Sequence, residues 1–267
     1  MADHFNTFPL KYFAGTVAGC MDIPLPQAYA PGIDWASDIL KSRMGGKADR
    51  AVLYHADAIG QYILQQYPDL FAPVYRHTSM TLPFISTVMS VTPVAHASMY
   101  TGLDPAGHGI LRYVRPQLTC DTFFDVLIRA GLRPCIVSPA DSTFMHIFAG
   151  REMDYFACEN ASEIRKKVLE LIDGDKYDVI SIHACDYDDA AHAYGPESKE
   201  ALNAVSMEAS GFSDISATIE EKWARKHRTL LTFSPDHGQH PIEGHHGNHG
   251  TEMNEDMNIV HFFGTKA

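Results

Sequence analysis

The sequence predicts an α/β fold with a mainly parallel central sheet sandwiched between helical layers. Three short segments, residues 51–57, 177–184 and 229–234, are almost continuously apolar. Runs of this kind are typical of strands that are buried on both faces of a parallel sheet. The helical periodicity of the segments between them, as in residues 161–171, indicates the alternation of strands and helices that builds such a sheet.

The composition is that of a globular protein and excludes several function classes. With 267 residues, 45% apolar and 20% charged, we expect one catalytic domain over residues 1–267. The formal net charge of −12 indicates that polymeric nucleic acid is not a partner. Because no signal-like start and no long apolar run are present, we predict a cytoplasmic protein that does not contact a membrane. The sequence leaves the oligomeric state open.

The first part of the chain is the hardest to interpret. Residues 22–31 are rich in proline and alanine, whereas residues 33–44 have helical spacing of apolar side chains. Residues 1–50 therefore form an N-terminal extension that packs either as an edge layer or over the functional site. The strand predicted for residues 51–57 ends in Asp57, which is either a metal ligand or a helix cap.

Thr92 is followed by Pro93, a pair that is typical of a helix start. The simple interpretation is that the Thr92 hydroxyl caps this helix. The functional interpretation is that the hydroxyl is a nucleophile, placed where free backbone N–H groups favour an anion. This stretch alone favours the cap.

The next segments continue the alternation of helices and strands. Asp188 and His192 follow the strand at 177–184 and are four residues apart, so on a helix they share a face and can bind one ion. Asp186 and Asp189 are rival carboxylates, and a solvated acidic loop is the simpler alternative. The remaining predicted elements are a helix at 121–131, a strand at 134–138, one or two surface helices at 197–225 broken near Gly211, and a final strand at 258–264.

Residues 234–250 contain five of the fifteen histidines. The segment follows a predicted strand, so Asp236 and His237 are expected at the sheet edge where α/β folds bind ligands. Imidazoles together with carboxylates suit zinc or manganese better than magnesium or calcium. The alternative is a solvated loop rich in histidine and glycine. The five cysteines include no C-x-x-C pair, so we expect no thiolate zinc site.

These motifs, in this order, resemble the alkaline phosphatase superfamily, and most closely its nucleotide pyrophosphatase/phosphodiesterase branch. The resemblance covers about residues 50–264. Its motifs are Asp57, Thr92 with His96, Thr101-Gly102 with His108-Gly109-Ile110, Asp188-x-x-x-His192-x-Tyr194-Gly195-Pro196, Asp236-His237-Gly238, and His249-Gly250 with Glu255-Asp256-Met257.

The resemblance implies a site with two divalent metal ions, zinc or alternatively manganese. It assigns Asp57, Thr92, Asp236 and His237 to one ion, and Asp188, His192 and His249 to the other. It also implies that Thr92 attacks a small-molecule phosphodiester or nucleotide-type pyrophosphate and forms a phosphothreonine intermediate. The alternatives are a phosphomonoesterase or phosphonate hydrolase on the same core, and a catalytically silent metal-binding protein.

The sequence departs from the family pattern near the nucleophile. Ala95 stands where related enzymes often carry an asparagine that contacts phosphate. His240, His245 and His246 have no role in the pattern, and we expect them at the surface or beside the metal ligands.

Overall fold

The protein is described by a computed structural model that covers residues 5–244 and 246–267. In these ranges the chain forms ten strands: β1 (Phe8–Pro9), β2 (Arg50–Ala56), β3 (Met80–Ile85), β4 (Pro134–Pro139), β5 (Asp154–Cys158), β6 (Val179–Ala184), β7 (Thr229–Phe233), β8 (His240–Ile242), β9 (His246–Asn248) and β10 (Asn258–Lys266).

The same ranges contain a 3₁₀ helix at Pro68–Phe71 and twelve α-helices: α1 (Tyr12–Met21), α2 (Asp34–Met44), α3 (Gln61–Gln66), α4 (Ala72–Tyr75), α5 (Thr92–Thr101), α6 (Pro105–His108), α7 (Phe123–Arg129), α8 (Thr143–Ile147), α9 (Ala161–Gly174), α10 (Asp186–Tyr194), α11 (Lys199–Lys222) and α12 (Asn254–Met257). None of these helices combines the length and the apolar character needed to cross a membrane.

Eight strands form the central sheet in the order β1-β3-β10-β7-β2-β6-β4-β5. β10 runs antiparallel to both of its neighbours, whereas all other pairs are parallel. The predicted mainly parallel sheet is therefore confirmed. β8 and β9 form a separate antiparallel hairpin.

Each face of the sheet is covered by helices. Successive side chains of a strand point to opposite faces, so Leu53 of β2 packs in one apolar cluster and Val52 in the other. The first cluster includes Phe13 of α1 and Val94 of α5, and the second includes Val205 of α11. The predicted sandwich of helical layers is thereby confirmed.

The N-terminal residues add to both the sheet and one helical layer. β1 pairs with β3 at the sheet edge, and α1 is buried over most of its length. Gly15 of α1 packs directly against the backbone at Gly32, where a Cβ atom would lie 2.8 Å from the Gly32 Cα. The described residues of the N-terminal extension thus contribute an edge strand and part of one helical layer.

The predicted break near Gly211 is wrong, because α11 runs without interruption for 24 residues. The neighbouring Ala209, Phe212 and Ile215 are buried against the sheet. A glycine inside a helix costs about 1 kcal/mol relative to alanine, and burial of these apolar side chains outweighs that cost. The helix is also not purely a surface helix, since one of its faces lies in the core.

Replacing Gly211 should stabilise the protein. In Gly211→Ala the added methyl meets only the Tyr54 hydroxyl oxygen, at 3.9 Å, so it fits without strain. We expect the free energy of unfolding to rise by about 1 kcal/mol, which is about 2 °C in the melting temperature.

Gly15→Ala is the matched control, because it places the same methyl in another helix against the backbone of Gly32. It should lower the melting temperature clearly. Thermal unfolding of both variants tests this contrast, and a stabilised Gly15→Ala variant would contradict the close packing of α1.

Candidate metal centre

The candidate site lies where three adjacent parallel strands end. Asp57 directly follows β2, Asp236 and His237 follow β7, and β6 leads into α10, which carries Asp188 and His192. The carboxyl ends of neighbouring parallel strands meet at one edge of the sheet, which is where α/β folds bind ligands.

The first cluster consists of Asp57, Asp236, His237 and Thr92, whose side chains are all buried. His237 Nε2 lies 3.5 Å from Asp57 Oδ1, 3.5 Å from Asp236 Oδ2 and 3.3 Å from Thr92 Oγ1. Ligands about 2.1 Å from a tetrahedral zinc ion are themselves separated by about 3.4 Å. The spacing of these atoms therefore matches the shell of one small divalent ion.

The second cluster consists of Asp188, His192 and His249. Asp188 Oδ1 lies 3.4 Å from His192 Nε2 and 3.7 Å from His249 Nε2. These three side chains form a potential metal-binding group, as do Asp57, Asp236 and His237. The two clusters touch, because the rings of His237 and His249 stack with their centres 4.2 Å apart.

All three histidines of the clusters are oriented in the same way. The Nδ1 atoms of His237, His192 and His249 donate to the carbonyl oxygens of Gly238, Gly247 and Ser90, at 3.1, 3.0 and 3.0 Å. A proton on Nδ1 leaves the lone pair on Nε2, the atom that faces the carboxylates. The backbone thus selects the tautomer that binds a metal.

Burial controls the charges in both clusters. It raises the pKa of Asp57 well above its usual range, with the neighbouring Asp236 adding to the effect, and it raises the pKa of Asp188 to about 7. It lowers the pKa of His237 to about 3 and that of His249 to about 2, so both imidazoles are neutral. A cation would compensate the buried carboxylates and keep them ionised.

Two buried oxygens support this interpretation directly. Asp57 Oδ1 and Asp236 Oδ2 are shielded from solvent, and neither has a hydrogen-bond partner in the described part of the chain. Unpaired buried carboxylate oxygens are costly. Because both face His237 Nε2, the donor set of carboxylate and imidazole fits a divalent ion such as zinc or manganese.

Thr92 is the first residue of α5, and its hydroxyl does not cap this helix. The residue at the capping position is Val91, in extended conformation. The Thr92 hydroxyl instead points at His237. The cap that the local sequence favours is therefore not formed.

Other polar residues of the region hold its loops. Asp256 accepts hydrogen bonds from the backbone and side chain of Thr251, at 2.9 and 2.8 Å, and contacts His240 Nδ1 at 2.7 Å. His246 is exposed and donates to the His192 carbonyl oxygen. The role expected for His245 lies outside the described residues.

Among the rival carboxylates, Asp189 is exposed, whereas Asp188 faces both His192 and His249.

Two side chains that contact the carboxylates were not predicted from the sequence. His183 Nε2 lies 2.9 Å from Asp57 Oδ2, and the Gln239 amide nitrogen donates to Asp188 Oδ1. A histidine inside an otherwise apolar strand is the signal that could have identified His183. Cys185 also approaches Asp57 and His183, but burial raises the pKa of its thiol well above the usual range, which disfavours a thiolate ligand.

The fold of this chain is an α/β fold of the alkaline-phosphatase-like type. No protein-family model and no curated protein matches the sequence. Three-dimensional comparison nevertheless finds solved structures with this fold at low sequence identity, so the resemblance inferred from the motifs is confirmed at the level of the fold.

One similar structure is murine ectonucleotide pyrophosphatase/phosphodiesterase 5, an inactive threonine-to-alanine variant in complex with AMP. Identity is 13% and the TM-score 0.60, over 74% of this chain and 59% of that chain. Another is phosphonoacetate hydrolase from Sinorhizobium meliloti in complex with phosphonoformate, with 16% identity and a TM-score of 0.54 over 72% and 57%. This chain thus spans less than two thirds of either protein.

A third is the C-terminal periplasmic domain of EptC from Escherichia coli, in complex with zinc. Identity is 12% and the TM-score 0.56, over 84% of this chain and 74% of that chain. The cytoplasmic location expected for the present protein stays a prediction.

The raised pKa of Asp188 predicts how the metal-free protein responds to pH. Between the ordinary aspartate pKa of 3.8 and about 7, the folded state keeps a proton that the unfolded state has released. This contribution to stability is present at low pH and is lost as the pH rises from about 4 to about 7.

Asp188→Asn should remove the loss of stability that accompanies the rise in pH. In chelator-treated protein we expect the variant to exceed the native protein in unfolding free energy by on the order of 3 kcal/mol at pH 8, and to differ little near pH 4. With added zinc at pH 8, the variant should instead be less stable than the native protein, because it lacks a charged ligand. Urea unfolding with and without zinc measures this, and a metal-free variant that is destabilised at pH 8 would contradict the account.

Proposed function

We propose that this protein is a two-metal phosphohydrolase that cleaves small-molecule phosphodiesters or nucleotide-type pyrophosphates through a phosphothreonine intermediate on Thr92. The observation that carries the proposal is the position of the Thr92 hydroxyl, 3.3 Å from His237 Nε2 at the start of α5. The proposed attacking oxygen therefore lies within the first cluster, in contact with Nε2 of His237. The inactive threonine-to-alanine variant of the murine nucleotide pyrophosphatase supports the same role for a threonine on this fold.

The proposed site binds one ion through Asp57, Asp236, His237 and Thr92, and a second ion through Asp188, His192 and His249. Bound divalent ions would supply Lewis-acid chemistry that favours an ionised hydroxyl and neutralises phosphate charge. Zinc is the proposed metal, with manganese as the alternative, and the zinc complex of EptC supports this choice.

Thr92 Oγ1 is the proposed attacking atom. It forms the bond to phosphorus while the bond to the leaving oxygen breaks, which gives phosphothreonine, and water then attacks the phosphorus and releases Oγ1. In the first turn of α5, the Val94 and Ala95 N–H groups donate to the Val91 carbonyl oxygen at 3.0 Å, and Pro93 has no N–H group. The helix dipole remains, and it favours negative charge near Thr92 Oγ1. Ser90, the other nearby hydroxyl, is engaged in a hydrogen bond to the Thr251 carbonyl oxygen at 2.8 Å.

The sequence has no Lys or Arg between Arg76 and Arg112, and two of the arginines that follow are engaged away from the nucleophile, which favours diesters over monoesters. Arg151 is half-buried and donates to Asp125 Oδ2 at 2.9 Å, and Arg115 donates to the Asp141 carbonyl oxygen at 2.6 Å. Both guanidinium groups are therefore used elsewhere. A monoester carries one more negative charge than a diester near neutral pH, so its efficient hydrolysis calls for positive charge beyond the two ions.

Removal of the proposed nucleophile should separate catalysis from metal binding. We expect Thr92→Ala to lower kcat by about 10³-fold or more while zinc content stays near that of the native protein, because the carboxylate and imidazole ligands remain. Thr92→Ser is the matched control and should keep measurable turnover. Near-native turnover of purified Thr92→Ala would exclude Thr92 as the nucleophile.

Substrate preference tests the diesterase assignment. We expect kcat/KM for bis-p-nitrophenyl phosphate to exceed that for p-nitrophenyl phosphate by about tenfold or more, since one negative charge fewer must be neutralised. The comparison uses the zinc and manganese forms at neutral and alkaline pH. A monoester preference in both forms would instead assign a phosphomonoesterase and direct attention to Arg112, which is exposed.

A further inference from the structure

His183 and Gln239 contact the metal-binding carboxylates but have no part in the reaction described above. Each residue belongs to the chain segment that carries one ligand cluster, and each contacts a carboxylate of the other cluster. The two contacts therefore cross between the clusters in opposite directions.

His183 lies on β6, three residues before the start of α10, the helix that carries Asp188 and His192. Its side chain is almost fully buried, and its Nε2 atom lies 2.9 Å from Asp57 Oδ2. On the other side of the ring, Nδ1 faces the Ser138 hydroxyl at 3.5 Å. Asp57, a member of the first cluster, is thus held by the strand that leads into the second.

Gln239 follows Asp236 and His237 in the loop of the first cluster and is completely buried. Its amide nitrogen donates to Asp188 Oδ1, and it also reaches the Asp188 carbonyl oxygen at 3.3 Å. Gly247 packs against this amide, and a Cβ atom there would lie 2.7 Å from the Ala191 carbonyl oxygen of α10. The Gln239 side chain is therefore packed between Gly247 and helix α10.

We propose that His183 and Gln239 are positioning residues that couple the two metal sites, so that the binding of one ion orders a carboxylate of the other site and the ions bind with positive cooperativity. The inference rests on the metal-binding part of the proposed function. Residues that hydrogen-bond to metal ligands typically contribute 10–100-fold to metal affinity.

The sign of the cooperativity distinguishes coupled sites from independent ones. Two divalent cations in adjacent sites repel each other, so independent sites would load the second ion more weakly than the first. Positive cooperativity requires a coupling free energy that exceeds this repulsion, and such coupling must act equally in both directions. The contacts of His183 with Asp57 and of Gln239 with Asp188 are the proposed source of this coupling.

The test titrates the chelator-treated full chain with zinc and counts bound ions by native mass spectrometry. In the native protein we expect free protein and the two-ion species, with little one-ion species. In Gln239→Met and in His183→Phe, both of which remove a hydrogen-bond donor at similar side-chain volume, the one-ion species should accumulate. The affinity for the second ion should fall about 10–100-fold.

Three further variants separate positioning from general destabilisation. His183→Gln retains a donor and should restore two-ion loading. Gln61→Met and His108→Phe make the same replacements at residues that bond to Asn6 and Ser98, away from the ligands, and should load like the native protein. Thermal unfolding of each variant verifies that it is folded.

Two results for the variants would overturn the coupling. One is two-ion loading in Gln239→Met and His183→Phe that is unchanged from the native protein. The other is an equal loss of affinity for both ions without accumulation of the one-ion species. Native protein that binds two ions independently would also overturn it while leaving the proposed function intact, whereas native protein that never binds two ions would remove the proposed metal centre itself.

Discussion

The burial of three carboxylates side by side is the constraint on which the rest of the site depends. Asp57 and Asp236 are shielded from solvent and Asp188 nearly so. Their nearest ionisable neighbours are histidines such as His237 and His249, which burial keeps uncharged. Taking charges out of water costs several kcal/mol per ion unless another charge compensates. The protein itself therefore offers little positive charge to compensate the three carboxylates, whereas divalent cations would supply it. The burial imposed by the fold thus favours the proposed metal chemistry.

The sheet creates this constraint through its topology. β2, β6 and β7 are adjacent and parallel, so the residues after each strand meet at one edge. Both faces of the sheet are covered by helices, and the apolar layers exclude water from the ends of the strands. α5 brings the Thr92 hydroxyl to the same edge from one layer, and α10 brings Asp188 and His192 from the other. The candidate ligands thus come to one edge of the sheet from both helical layers.

Much of the fold and of the candidate site was predictable, because the pattern of apolar and polar residues in a segment reflects how that segment is buried. Continuous apolar runs identified β2, β6 and β7, and the spacing of Asp188 and His192 identified the shared face of α10. β3 was missed because Pro83 interrupts its pattern, although it lies inside the sheet next to an antiparallel partner. The break predicted near Gly211 was wrong because the cost of a glycine inside a helix is smaller than the stabilisation from burying the apolar face of α11. Contacts between distant segments, such as Gln239 with Asp188, leave no periodic signal in the sequence.

The central claim is that the two clusters hold two ions at once, and anomalous diffraction from crystals soaked in zinc tests it most directly. We expect two anomalous peaks roughly 3.5–4 Å apart. One peak should lie among Asp57, Asp236 and His237, and the other among Asp188, His192 and His249. A single peak, or a peak bound by Asp57, His183 and Cys185 in place of the first site, would contradict it.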